Sequence, residues 1–94
     1  MDFFERNLKE TLEAIKTISN GTITVKRIRF ATNVKSSNRS KINFIWRALK
    51  CLTAFNFLEL NGSRNPQSYM VKYPEVEINV DKIVSRVLRG RKNK

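Results

Sequence analysis

Between Ser40 and Phe55 the chain sorts its residues by kind with the period of a helix. Ile42, Ile45, Leu49 and Leu52, spaced by three, four and three, fall on one face. Ser40, Asn43, Arg47 and Lys50 fall on the opposite face, and all four are polar or basic. Trp46 and Phe55 flank the apolar stripe. A chain carrying such a segment must bury one side of it and leave the other at a surface, so the rest of the sequence has to supply the cover.

That cover can be read on both sides. Phe4, Leu8, Leu12, Ile15 and Ile18 recur at steps of four, four, three and three, which predicts an amphipathic first helix over about 3–19. Asp2 and Glu5 are spaced like a capping box, and Ser19-Asn20-Gly21 provides the stop. Thr22 to Thr24 reads as a short extended stretch. Thr24 then caps a short second helix on which Val25, Ile28 and Ala31 share a face, although the β-branched run Thr22 to Val25 also suits a strand. Asn33 to Asn38 is polar and turn-like, with Ser36, Ser37 and Asn38 as available caps.

Beyond the central helix, Asn56 tolerates a left-handed backbone and Phe57 to Leu60 reads as a strand. Asn61 to Ser68 reads as a long polar tip, and Tyr69 to Tyr73 as the returning strand of a hairpin, ended by Pro74. From Asn79 onward, Val80, Ile83, Val84, Val87 and Leu88 trace a last helix that closes near Leu88. The expected fold is mainly α with a small β-hairpin, an α+β domain over residues 1–88. Residues 89–94 form a basic tail with no apolar residue to bury. At 94 residues only one domain fits.

Charge is distributed unevenly along this frame. Residues 1–20 and 59–88 are each close to neutral, whereas residues 21–58 hold Lys26, Arg27, Arg29, Lys35, Arg39, Lys41, Arg47 and Lys50 and no Asp or Glu. A merely solubilising surface would intersperse acids among these bases. The net charge of +11 therefore points to a polyanionic partner met by the middle of the chain.

The chemistry that is missing narrows the class further. With no histidine and a single cysteine, Cys51, neither a zinc finger nor a disulfide framework can be built, and the usual general base near neutral pH is absent. The reading is a binding protein, not an enzyme, with no cofactor and no metal. Cys51 lies in an apolar helical pattern and reads as structural. No apolar run exceeds three residues, so neither a membrane-spanning helix nor a signal peptide is expected, and the chain reads as cytoplasmic and nucleoid-associated.

Three helices, a hairpin and a closing helix follow the order of a winged helix-turn-helix. Within it, Ile45-Trp46-Arg47-Ala48-Leu49-Lys50-Cys51-Leu52 followed by Asn56-Phe57-Leu58 resembles the recognition helix of PadR-type regulators, with Trp46 in the aromatic place and Asn56 in the glycine place. Ile23-Thr24-Val25-Lys26-Arg27-Ile28 is similar to the threonine-capped second helix of many winged-helix regulators. The likeness spans roughly residues 22–73.

The resemblance implies binding to double-stranded DNA, with the third helix in the major groove. Its expected base-reading residues are Ser40, Lys41, Asn43 and Arg47, because Arg can donate twice to guanine and Asn can donate to and accept from adenine; Phe44 is an adjacent candidate for a thymine methyl. Lys26, Arg27, Lys35, Ser36, Ser37, Arg39 and Lys50 are expected to grip phosphates. The wing residues Arg64, Asn65 and Gln67 are expected at the backbone or the minor groove. A single small module buries little DNA surface, so a homodimer is expected, paired through the first helix (Phe3, Phe4, Leu8) or the last (Val80, Val84, Val87, Leu88). Transcription regulation is the leading role. A DNA-coating protein of plasmid or chromosome partition, or an architectural chromatin protein, is the alternative; RNA binding and a protein-interaction adaptor rank below.

Overall fold

In the computed structural model of the chain, residues 3–18, 22–64, 67–73 and 77–92 are described, without the side chains of 62–64, 91 and 92. Over these residues the order is α1 (Phe3–Ile18), α2 (Val25–Thr32), α3 (Arg39–Ala54), β1 (Leu58–Arg64), β2 (Gln67–Val71) and α4 (Val80–Lys92). The protein is thus an α+β domain of four helices and one antiparallel hairpin. The expected capping box at Asp2, the stop at Ser19-Asn20-Gly21 and the strand end at Pro74 lie outside the described residues.

Short polar side chains set the helix starts. Thr24 accepts from the Arg27 backbone N–H at 3.1 Å, Asn38 accepts from that of Lys41 at 3.2 Å, and Asn79 from that of Lys82 at 3.1 Å. Asn33 ends α2 with φ 59°, a left-handed turn that asparagine adopts at little cost, and the Val34 N–H closes onto the Arg29 carbonyl at 2.9 Å. Asn56, at φ 64°, does the same after α3, where Phe57 N–H reaches the Leu52 carbonyl at 2.9 Å.

The core gathers around α1 and α3. Leu8, Leu12 and Ile15 of α1, Ile28 of α2, Ile45, Ala48, Leu49 and Leu52 of α3, Leu58 and Tyr69 of the hairpin, and Val84 and Val87 of α4 are all buried. α1 packs against α2, α3 and α4 in turn, and β1 packs against α3. Ile23 makes a two-way backbone bridge to Tyr69, at 2.8 Å in both directions, so β2 is held by β1 on one side and by this single residue on the other.

Four expectations are corrected by this arrangement. The hairpin is not a pair of short strands around a long tip: the ladder runs from Leu58↔Val71 through Leu60↔Tyr69 to Arg64↔Gln67. An irregularity in register between Leu60 and Arg64 takes up Asn61-Gly62-Ser63, so residues that look like a loop lie within the strand.

The last helix does not close near Leu88 but continues to Lys92, taking in the first part of the expected tail. Gly90 allows it, because a Cβ there would come within 2.5 Å of the Phe55 ring, a clash that glycine avoids.

Ala31, expected on the buried side of α2, is exposed; Ile28 is the deeply buried residue of that helix. The expected pairing surface also shrinks. Leu8, Val84 and Val87 are consumed by the chain's own core, and Phe4, Val80 and Leu88 are half-buried against it, which leaves Phe3 as its exposed member.

Burial raises the Tyr69 phenol above its ordinary value of about 10. Below that value the phenol is protonated in the folded and unfolded states alike. As pH rises past it the unfolded phenol ionises first, so this contribution to stability is lost towards the folded value. Urea unfolding across pH 9 to 11 is expected to show stability falling at the alkaline end, with a shallower fall in Tyr69→Phe.

Candidate nucleic-acid interface

The exposed side of α3 is built by what the buried side demands. Once Ile45, Ala48, Leu49 and Leu52 are fixed against α1 and the hairpin, helical geometry turns Arg39, Ser40, Asn43, Arg47 and Lys50 to solvent, and all five are exposed. Along one edge of this row Ser40, Asn43, Phe44 and Arg47 enclose a shallow notch of about 240 Å³. The Arg47 guanidinium lies 6.0 Å from the centre of the Phe44 ring, within the range of a cation–π contact.

Lys41 leaves this group. Although expected among the base-reading residues, it sits four positions before Ile45 and therefore on the covered side. Its Nζ donates to Asn7 Oδ1 at 3.0 Å and to Glu10 Oε2 at 3.3 Å on α1. The same ammonium satisfies the carbonyl oxygen of the buried Asn7, whose amide donates to the Phe3 carbonyl at 2.7 Å. Lys41 is a bracket between α1 and α3.

The remaining basic residues surround α3 from α2 and the connecting turn. Lys26, Arg27, Lys35, Ser36 and Ser37 are exposed. Arg27 is tied back through Nη1 to the Thr22 carbonyl at 2.8 Å, which aligns its guanidinium beside the start of α2. Arg29 is half-buried, and its Nε donates to the Val34 carbonyl at 3.4 Å, bracing the turn between α2 and α3. Gln67 is half-buried at the start of β2; Arg64 ends β1 opposite it, and Asn65 lies outside the described residues.

Two exposed rings at this surface had no place among the expected site residues. Phe30 on α2 is 65% exposed, with Lys26 Nζ at 5.8 Å and the Arg29 guanidinium at 5.9 Å from its ring centre. Phe3, expected at a dimer face, is 72% exposed and stands 6.5 Å from Phe44, centre to centre, at the flank of α3. Phe30 could have been found from its spacing, since it falls two positions after Ile28 and so away from the buried side of α2.

Among the described residues no group of three His, Cys, Asp or Glu could hold a metal ion, and no helix is long and apolar enough to cross a membrane. Half-buried Cys51 packs against the core. No protein-family model, curated protein or solved structure matches the chain.

Lys41→Met keeps the aliphatic stem and removes the ammonium, which leaves the buried Asn7 carbonyl oxygen without that donor. Urea unfolding is expected to register a loss of about 1 to 3 kcal/mol. Ser40→Ala, on the exposed side one position earlier, is expected to stay within about 0.5 kcal/mol of the unaltered chain.

Proposed function

We propose that the protein is a sequence-specific double-stranded DNA-binding protein of the winged helix-turn-helix type, acting as a transcription regulator. α2, the turn at residues 33–38 and α3 form the helix-turn-helix, and the hairpin serves as the wing. One observation carries the proposal: the exposed face of α3 carries Arg39, Ser40, Asn43, Arg47 and Lys50, within a 38-residue stretch that contains no carboxylate. A face of this width and polarity suits the major groove, which is about 12 Å wide and admits one α-helix.

Roles follow from position along the helix. The N-terminal half of a recognition helix lies nearest the base edges, which assigns base reading to Ser40, Asn43 and Arg47. Arg47 offers a planar pair of donors to guanine O6 and N7, and its contact with Phe44 limits the rotamers it must give up on binding. Lys26, Arg27, Lys35, Ser36, Ser37, Arg39 and Lys50 ring that row and meet phosphates, fixing register without reading sequence. The end of the hairpin, with Arg64 and Gln67, follows the backbone or the minor groove. Two copies on a two-fold symmetric site complete the proposal. With most of the expected pairing surface absorbed into the core, the copies meet through what α1 and α4 leave outside, or on the DNA itself.

Selection of bound duplexes from a random pool, followed by footprinting, tests the proposal directly. One protected site with two-fold symmetry supports regulation, whereas protection that spreads as protein is added supports a coating role in partition or compaction. On the selected duplex, log affinity is expected to fall with log salt at a slope of roughly −5, for about five or six phosphates neutralised per protomer. Arg47→Ala is expected to cost about 1 to 3 kcal/mol and to flatten preference at one base pair. Lys50→Ala should instead weaken all sequences alike and reduce the salt slope by about 1. If Arg47→Ala leaves both affinity and preference unchanged in a folded protein, α3 is not the reader.

A further inference from the structure

The notch beside α3 has two unlike walls. On one side Ser40, Asn43 and Arg47 present hydroxyl, amide and guanidinium groups; on the other stands the ring of Phe44. Phe44 is half-buried, and its exposed part is not isolated. The more exposed Phe3 ring lies 6.5 Å away at an interplanar angle of 34°, and the Arg47 guanidinium lies 6.0 Å from its centre. Phe3, Phe44 and Arg47 thus form a row from α1 onto α3, with an apolar ledge at one end and a charged fork at the other.

A site that is apolar on one wall and rich in hydrogen-bond donors on the other selects a base edge with the same division. In the major groove adenine, guanine and cytosine offer only hydrogen-bonding groups, while thymine offers the O4 acceptor together with the C5 methyl. We propose, on the reading of α3 as the recognition helix, that this notch seats a thymine next to the guanine held by Arg47. Its methyl packs on Phe44, and its O4 faces the donors of Ser40 and Asn43. Phe3 extends the apolar ledge, so the first turn of α1 takes part in recognition although it lies outside the helix-turn-helix.

The ledge also has an electrostatic use. The cation–π contact holds Arg47 beside the ring, and a methyl pressed on the same ring excludes water from the guanidinium's flank, which strengthens its bonds to guanine. Thymine and guanine are then read as one unit.

The test uses the full chain and the duplex recovered by selection, with each thymine replaced singly by deoxyuridine. That replacement removes the C5 methyl and leaves O4 and the pairing intact. One thymine per half-site is expected to show about fourfold weaker binding on losing its methyl, the worth of one buried methyl-sized group. In Phe44→Ala the thymine and deoxyuridine duplexes are expected to bind alike. Tight binding of the unaltered protein with no thymine sensitive to its methyl overturns the inference and leaves the DNA-binding reading standing, as does a methyl penalty that persists undiminished in folded Phe44→Ala. If selection recovers no duplex at all, the DNA-binding reading itself falls. Should Phe44→Ala fail to fold, the deoxyuridine series on the unaltered chain still decides, because it involves no substitution in the protein.

Discussion

The contact on which the rest depends is the burial of one side of α3. Ile45, Ala48, Leu49 and Leu52 are all but inaccessible, and they are held by the α1 residues Leu8, Leu12 and Ile15 and by the hairpin through Leu58. Burying four such residues removes several kcal/mol worth of apolar surface from water, at about 25 cal/mol per Å². Because the helix is rigid over its sixteen residues, fixing one side fixes the rotation of the other. The exposed row Arg39, Ser40, Asn43, Arg47 and Lys50 is therefore presented by the packing of residues that never meet solvent.

The cations that this packing leaves outside have a cost that the rest of the molecule only partly offsets. Glu10 reaches Lys41 at 3.3 Å, and Asp81 approaches Lys9 at 3.7 Å, and both contacts lie away from the exposed side of α3. The exposed Lys9–Asp81 contact contributes little. At physiological salt the screening length is about 8 Å, short against a domain of 33 × 30 × 22 Å, so cations on opposite sides scarcely feel each other and the fold tolerates its net charge. Neighbouring cations on α2 and α3 gain less from that screening. Local repulsion of this kind is relieved when a polyanion's charges stand beside the bases and its own counterions are released to solution, and it rises where the basic groups are closest together.

Much of this was legible in the sequence, for identifiable reasons. Helix positions followed from apolar spacing together with short polar caps, and Thr24, Asn38 and Asn79 each cap as their chemistry dictates. The left-handed turns at Asn33 and Asn56 follow from the same local chemistry. Less legible was whatever depends on the third dimension. Asn61-Gly62-Ser63 has the composition of a loop, yet it is carried inside β1 as a register irregularity, and only the partner strand reveals that. The apolar spacing ends near Leu88, and only the Phe55 ring against Gly90 shows how the helix runs on past it. Lys41 is the instructive miss among the site residues. Its charge suggested the exposed row, while its spacing from Ile45, Ala48 and Leu52 placed it at the seam with α1, and spacing outweighed charge because α1 supplied Asn7 and Glu10 to receive it.

Lys41 also explains why the exposed row stays clean. Were its ammonium turned outward, a flexible charge would stand next to Ser40 and compete for the same anionic groups without offering planar geometry. Turned inward, it joins α1 to the first turns of α3 and brings the start of α1 alongside, which is where Phe3 meets Phe44. The aromatic ledge thus follows from a polar bracket, and it stands beside a row that the apolar packing of α3 presents. A side chain fixed between two helices transmits their relative position to every contact made from their outer faces.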